Sequence, residues 1–131
     1  MVKGNRRMKQ STLELFKTLT ELPGAPGYEH EVRAFMKKQM SKYTDEFVQD
    51  GLGSLFGVKR GDEEGPKIMV AGHMDEVGFM ITDIDSDGYI KFANLGGIDP
   101  KVLYGKQVIL GNEKTRINGV IAAKAIHHKR R

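Results

Sequence analysis

Four consecutive apolar residues, Ile68, Met69, Val70 and Ala71, run straight into Gly72 and then into His73-Met74-Asp75-Glu76-Val77-Gly78. A run with no polar alternation reads as a strand covered on both faces, the habit of parallel sheets packed between helices. Gly72 lets the backbone leave the sheet at the strand's carboxyl end, and open α/β sheets place their chemistry at that edge. An α/β class is therefore expected, with one histidine and two carboxylates just outside the sheet.

The segments upstream agree. Ser11 and Glu14 form a Ser-x-x-Glu capping box, so the first helix is expected to begin near Ser11 with Leu15, Phe16, Leu19 and Leu22 on its apolar face. Pro23-Gly24 ends it. A second helix is expected from about Glu29, presenting Val32, Phe35, Met36, Met40 and Tyr43 at helical spacing. Its methionines read as core filler, and His30, off that face, reads as a surface residue. From Thr44 short extended runs take over, at 47–48, 55–58 and 68–71. Helices feeding strands indicate an α/β layer.

Beyond Glu76 the texture is β throughout. Residues 77–84 lead through Asp85-Ser86-Asp87-Gly88 into 89–93, and further runs come at 107–110 and 117–122. Short strands separated by Gly, Asp and Asn turns imply a small barrel or sandwich. Residues 83–88 imitate the start of an EF-hand loop. Asn94 stands at the twelfth position, where that loop needs a bidentate Glu, and the Asp-Gly pair is better read as a hairpin turn.

A neutral imidazole is a common ligand for divalent ions, and a carboxylate two residues on can receive its other N–H, fixing tautomer and ring angle. His73 is thus the metal-ligand candidate and Asp75 its orienter. With no cysteine in the chain, a disulfide or thiolate site is excluded and any metal must sit on N and O donors. That composition suits a cytoplasmic protein.

The formal charge of +4 invites a nucleic-acid reading until the basic residues are placed. Lys3, Arg6, Arg7 and Lys9 lie at one end and Lys124, Lys129, Arg130 and Arg131 at the other, while all 17 acidic residues fall between Glu14 and Glu113. The body carries 13 basic against 17 acidic residues, with no basic face interleaved with aromatics, so no nucleic-acid partner is expected. No apolar stretch approaches the ~20 residues that span a bilayer, and the charged start has no apolar core behind it, so neither membrane nor secretion is expected.

Around His73 the chain resembles the cobalt- or zinc-dependent aminopeptidases of the glutamyl and deblocking type, which build tetrahedral twelve-subunit particles. The segment VAGHMDEVGFMI (70–81) is similar to their ligand-bearing segment, PGAPGYEHEVR (23–33) to their Pro-Gly-x-x-Gly-Tyr-Glu helix start, and LGGIDPKVLYGKQV (95–108) to the segment after the ligand. Ser54 stands where that family usually has asparagine. The resemblance implies that residues 1–76 are the first part of a catalytic α/β domain. Residues 77–131 would then begin an inserted small β-barrel domain that mediates homo-oligomer contacts.

It also implies a two-metal site, zinc or cobalt, in which His73 binds one ion and Asp75 steadies it. The other ligands and the general base would lie beyond residue 131. Glu76 invites a general-base role, but its position within the resemblance favours a structural or junction role.

The implied function is removal of N-terminal residues from peptides by the complete enzyme. The isolated chain is expected to be inactive and need hold neither ion. Two alternatives stand: a non-catalytic oligomerisation module, and an endoglucanase-labelled member of the same family. The closing His127-His128-Lys129-Arg130-Arg131 fits either a shortened piece of a longer enzyme or a short paralogue with its own basic tail.

Overall fold

In the computed structural model, residues 8–123 are described; the closing basic run with His127 and His128 lies outside them. Two compact units divide at Gly96 and Gly97.

The first unit opens with α1 (Gln10–Glu21) and α2 (His30–Met40). The capping box at Ser11 does not form. Lys9 occupies the N-cap without a side-chain cap, its carbonyl accepting from the N–H groups of Thr12 and Leu13 at 3.0 and 3.1 Å. Starting two residues earlier than the box needs carries Ser11 into the first turn, and Glu14 instead accepts from Gln10 Nε2 at 3.2 Å. A Ser-x-x-Glu pair caps only when the serine itself is the last non-helical residue.

The second helix matches expectation at its start, with Glu29 at the N-cap. It stops at Met40, so Tyr43 falls on the turn after it, out of helical phase, and is 72% exposed where a core position was expected. Val32 supplies the buried residue of this helix at 6% exposure, with Phe35, Met36 and Met40 half-buried. His30, expected at the surface, is half-buried and meets the Tyr28 ring edge-on at 6.2 Å.

Two antiparallel hairpins come next. The strands β1 (Glu46–Gln49) and β2 (Leu55–Val58) pair in register from Glu46 opposite Val58 to Gln49 opposite Leu55. Asp50 Oδ1 closes their turn by accepting from the N–H groups of Leu52 and Ser54 at 3.0 and 2.8 Å. The hairpin rests on α2, where Lys37 Nζ stands 5.4 Å from the centre of the Phe47 ring. At its open end Arg60 grips the Glu46 carboxylate with two bonds of 2.9 and 2.5 Å.

The longer hairpin joins β3 (Gly78–Ile84) to β4 (Ile90–Leu95), with a register shift between Ile81 and Asp83. The turn forms as the sequence indicates: Asp85 Oδ1 accepts from the N–H groups of Asp87 and Tyr89, and Gly88 takes φ +84°, a region L side chains avoid. Phe79 and Phe92 pack edge to face at 4.7 Å.

Among its described residues, the second unit holds a 3-10 turn (Pro100–Val102) and a hairpin, β5 (Gln107–Gly111) with β6 (Arg116–Val120), paired from Gln107 opposite Val120 to Gly111 opposite Arg116. Ile121, just past β6, is 8% exposed. The described residues thus contain α and β elements with three separate two-stranded sheets. Many apolar side chains of the hairpins stay exposed, among them Met80, Ile81, Ile84, Ile109 and Ile117. No described helix is long and apolar enough to cross a membrane.

Candidate functional site

The expected buried strand at residues 68–71 is absent. The segment has no regular secondary structure and pairs with no strand, with Ile68, Met69 and Val70 all exposed, Val70 at 94%. A strand needs a neighbour for its N–H and C=O groups and cover for its faces. Among the described residues neither is present for this run, so the apolar pattern has nothing to pair with.

The residues just past the run are ordered by short-range chemistry. His73 Nδ1 lies 3.0 Å from Asp75 Oδ1 and 2.9 Å from the Asp75 carbonyl oxygen. An imidazole whose Nδ1 donates to a carboxylate carries its proton there, leaving Nε2 with a lone pair. The ring is open to its surroundings, with 84% of the side chain exposed, and the Asp75 side chain is half as exposed. The two residues singled out in the sequence are therefore brought together, in the arrangement that second-sphere carboxylates use to orient metal-binding histidines.

The donor set fits one metal ligand and no more. Among the described residues no group of three or more His, Cys, Asp or Glu converges on a point. An imidazole held through Nδ1 is the right donor for zinc or cobalt, but a complete coordination shell needs further groups.

The loop carrying this pair is fastened from the other side. The N–H of Glu76 donates to the Gly24 carbonyl at 2.8 Å. A Cβ on Gly24 would lie 3.1 Å from the Met74 carbonyl oxygen, and one on Gly78 would lie 2.8 Å from Ala25 Cβ. Glu76 thus has a structural part in holding the loop through its backbone. Sequence reasoning passed over Gly24, Ala25 and Gly78 in this capacity. Their only local signal was small size.

The model of the M42 glutamyl aminopeptidase family matches residues 53–131, and a second model, AMPT, matches residues 10–36. The glutamyl aminopeptidase of Lactococcus lactis is 44% identical over 104 residues, covering 75% of this chain and 29% of that protein. The lysyl aminopeptidase of Pyrococcus furiosus is 36% identical over 118 residues, covering 89% and 34%.

Among solved structures, a TET aminopeptidase from a marine sediment archaeon of the Thaumarchaeota is 42% identical, with a TM-score of 0.84 over 91% of this chain and 33% of its own. The TET1 peptidase of Pyrococcus horikoshii, described as able to assemble into a tetrahedron or a large octahedral shell, is 33% identical with a TM-score of 0.75, covering 90% and 36%. A Thermotoga maritima protein titled endoglucanase is 38% identical with a TM-score of 0.73, covering 82% and 33%. The chain spans about a third of the length of the curated relatives it matches. With a family model covering well over half its residues, and with a TET aminopeptidase superposing over nearly all of it, this chain belongs to the M42 glutamyl aminopeptidase family.

Proposed function

We propose that this chain supplies one metal ligand to a two-metal aminopeptidase that removes residues from the amino ends of peptides. The observation that carries the reading is the His73–Asp75 pair, with Nδ1 and Oδ1 3.0 Å apart on a loop after an apolar run. When bound, a divalent ion such as zinc or cobalt would polarise the scissile carbonyl. His73 would hold one ion through Nε2. Asp75 would fix the tautomer and the ring angle, and its negative charge would raise the basicity of the ring. The remaining ligands and the general base come from outside residues 1–131 on this reading, so the isolated chain is inactive.

We further read residues 1–76 as the start of the catalytic α/β domain and residues 77–131 as the start of a β-barrel domain that joins copies of the enzyme. Supporting the second point are the exposed apolar residues of β3 and β4 and the assembly described for the TET1 peptidase. Exposed apolar patches of this kind favour association. A cytoplasmic location accords with the lack of cysteine.

The test is hydrolysis by the complete protein, with zinc or cobalt added and removed, on a panel of peptides and β-glucans. Metal-dependent release of N-terminal residues supports the reading. Release of sugars alone would replace it with the glycan hydrolysis suggested by the endoglucanase-titled neighbour. Amino-acid release by the pure 131-residue chain would contradict the division of the site. Oligomer mass of this chain with and without metal separates the enzyme part from a purely structural module.

A further inference from the structure

We propose that the turn at residues 23–27 is the seat that positions the His73 ligand, and that Gly24, Ala25 and Gly78 are positioning residues for metal binding. The proposal rests on the reading of His73 as a ligand.

His73 and Asp75 hold each other, but their mutual contacts say nothing of where the pair sits relative to the rest of the protein. Residues 67–75 make no strand ladder among the described residues that would fix it. The fixed points lie on either side of Asp75. Before it, the Met74 carbonyl oxygen comes so near the Gly24 backbone that a Cβ there would be 3.1 Å away, with Val32 Cγ2 equally close. After it, the Glu76 N–H donates to the Gly24 carbonyl at 2.8 Å, and Gly78 meets Ala25 with no room for a side chain between them.

The seat is itself stiff. Pro23 restricts the chain leaving α1, and the Ala25 carbonyl accepts from the Tyr28 N–H at 2.7 Å as α2 begins. Gly24 is buried, and Val32, the buried residue of α2, lies directly against it. A change that adds volume here moves the loop without touching either His73 or Asp75. Ligand constellations tolerate displacements of only about 0.5 Å before function suffers. Disturbing the support of a ligand typically weakens metal binding about 10–100-fold.

The test uses the complete protein and zinc affinity from chelator competition, with the thermal midpoint of the metal-free protein read separately. Gly78→Ala puts a Cβ against Ala25 Cβ, and Ala25→Gly in the same molecule removes the obstacle. Gly78→Ala is expected to weaken zinc binding about tenfold, and the double variant to recover to within about threefold of wild type. An unchanged affinity in Gly78→Ala, or a double variant no better than the single, overturns the proposal. So does a lowered thermal midpoint with zinc affinity unaltered, which marks a merely structural contact. If Gly78→Ala does not fold, Ala25→Val presses on the same contact from the other side, and wild-type affinity in that variant overturns the proposal equally. His73→Ala runs alongside: if it leaves zinc affinity unchanged, the ligand assignment itself has failed, whatever the seat does.

Discussion

The Asp75 carboxylate holds Nδ1 of His73 at 3.0 Å, and the same nitrogen lies 2.9 Å from the Asp75 carbonyl oxygen. One residue thus presents two acceptors to the ring nitrogen, and the imidazole is committed to the tautomer that exposes Nε2.

Asp75→Asn keeps an acceptor at the same place but removes the charge. The complete protein carrying it is expected to bind zinc about tenfold to a hundredfold more weakly, with the fold intact by circular dichroism. Chelator competition reads the difference, and an unchanged affinity would mean that Asp75 does not support the ring.

Val32 is the side chain on which α2 and the Gly24 turn depend, being 6% exposed with Cγ2 at the Gly24 backbone. Val32→Ala is expected to lower stability by about 2 kcal/mol, from the lost methyl groups and the space left behind. Urea unfolding measures it. A change under about 0.5 kcal/mol, the level of ordinary surface substitutions, would show the contact to be slack.

Gly88 takes φ +84° in the turn between β3 and β4. Gly88→Ala is expected to destabilise by about 1 kcal/mol, since a Cβ in the left-handed region meets the backbone. The loss should appear as faster amide exchange in β3 and β4, while β1 and β2 are unaffected.

Asp50 predicts a pH dependence. Hydrogen bonding by Ser54, side chain first and then backbone, with smaller contributions from Leu52 and Gly53, holds its carboxyl below the usual carboxylate range. A folded-state pKa below the unfolded value of about 3.9 means that its contribution is fully present above that pH. It is lost as pH falls through the folded value. The amide signals of Leu52 and Ser54 should therefore titrate with a midpoint below the value of about 3.9 of an unperturbed aspartate carboxyl. Asp50→Asn should remove the titration.

Much of this was legible in the sequence because it is local. Asp85-Ser86-Asp87-Gly88 announces its own turn through a short polar side chain and a glycine, and the strands on either side alternate around it. The His73-x-Asp75 pair is equally local, two residues whose side chains meet through the backbone between them.

The errors came where a distant partner decides. Ile68 to Ala71 have the composition of a buried strand, yet a strand exists only beside another, and the described residues offer it none. The capping box at Ser11 and Glu14 fails for a local reason instead: the helix starts at Gln10, and the spacing goes unused. The Gly24–Glu76 hydrogen bond joins backbone groups far apart in the chain, and no side-chain pattern advertises a backbone bond.

The most direct measurement is a crystal structure of the complete protein loaded with zinc. His73 Nε2 is expected at about 2.0–2.1 Å from a zinc ion, with Nδ1 still on Asp75. A zinc-loaded structure in which every ion is ligated by other residues, and His73 touches none, would contradict it.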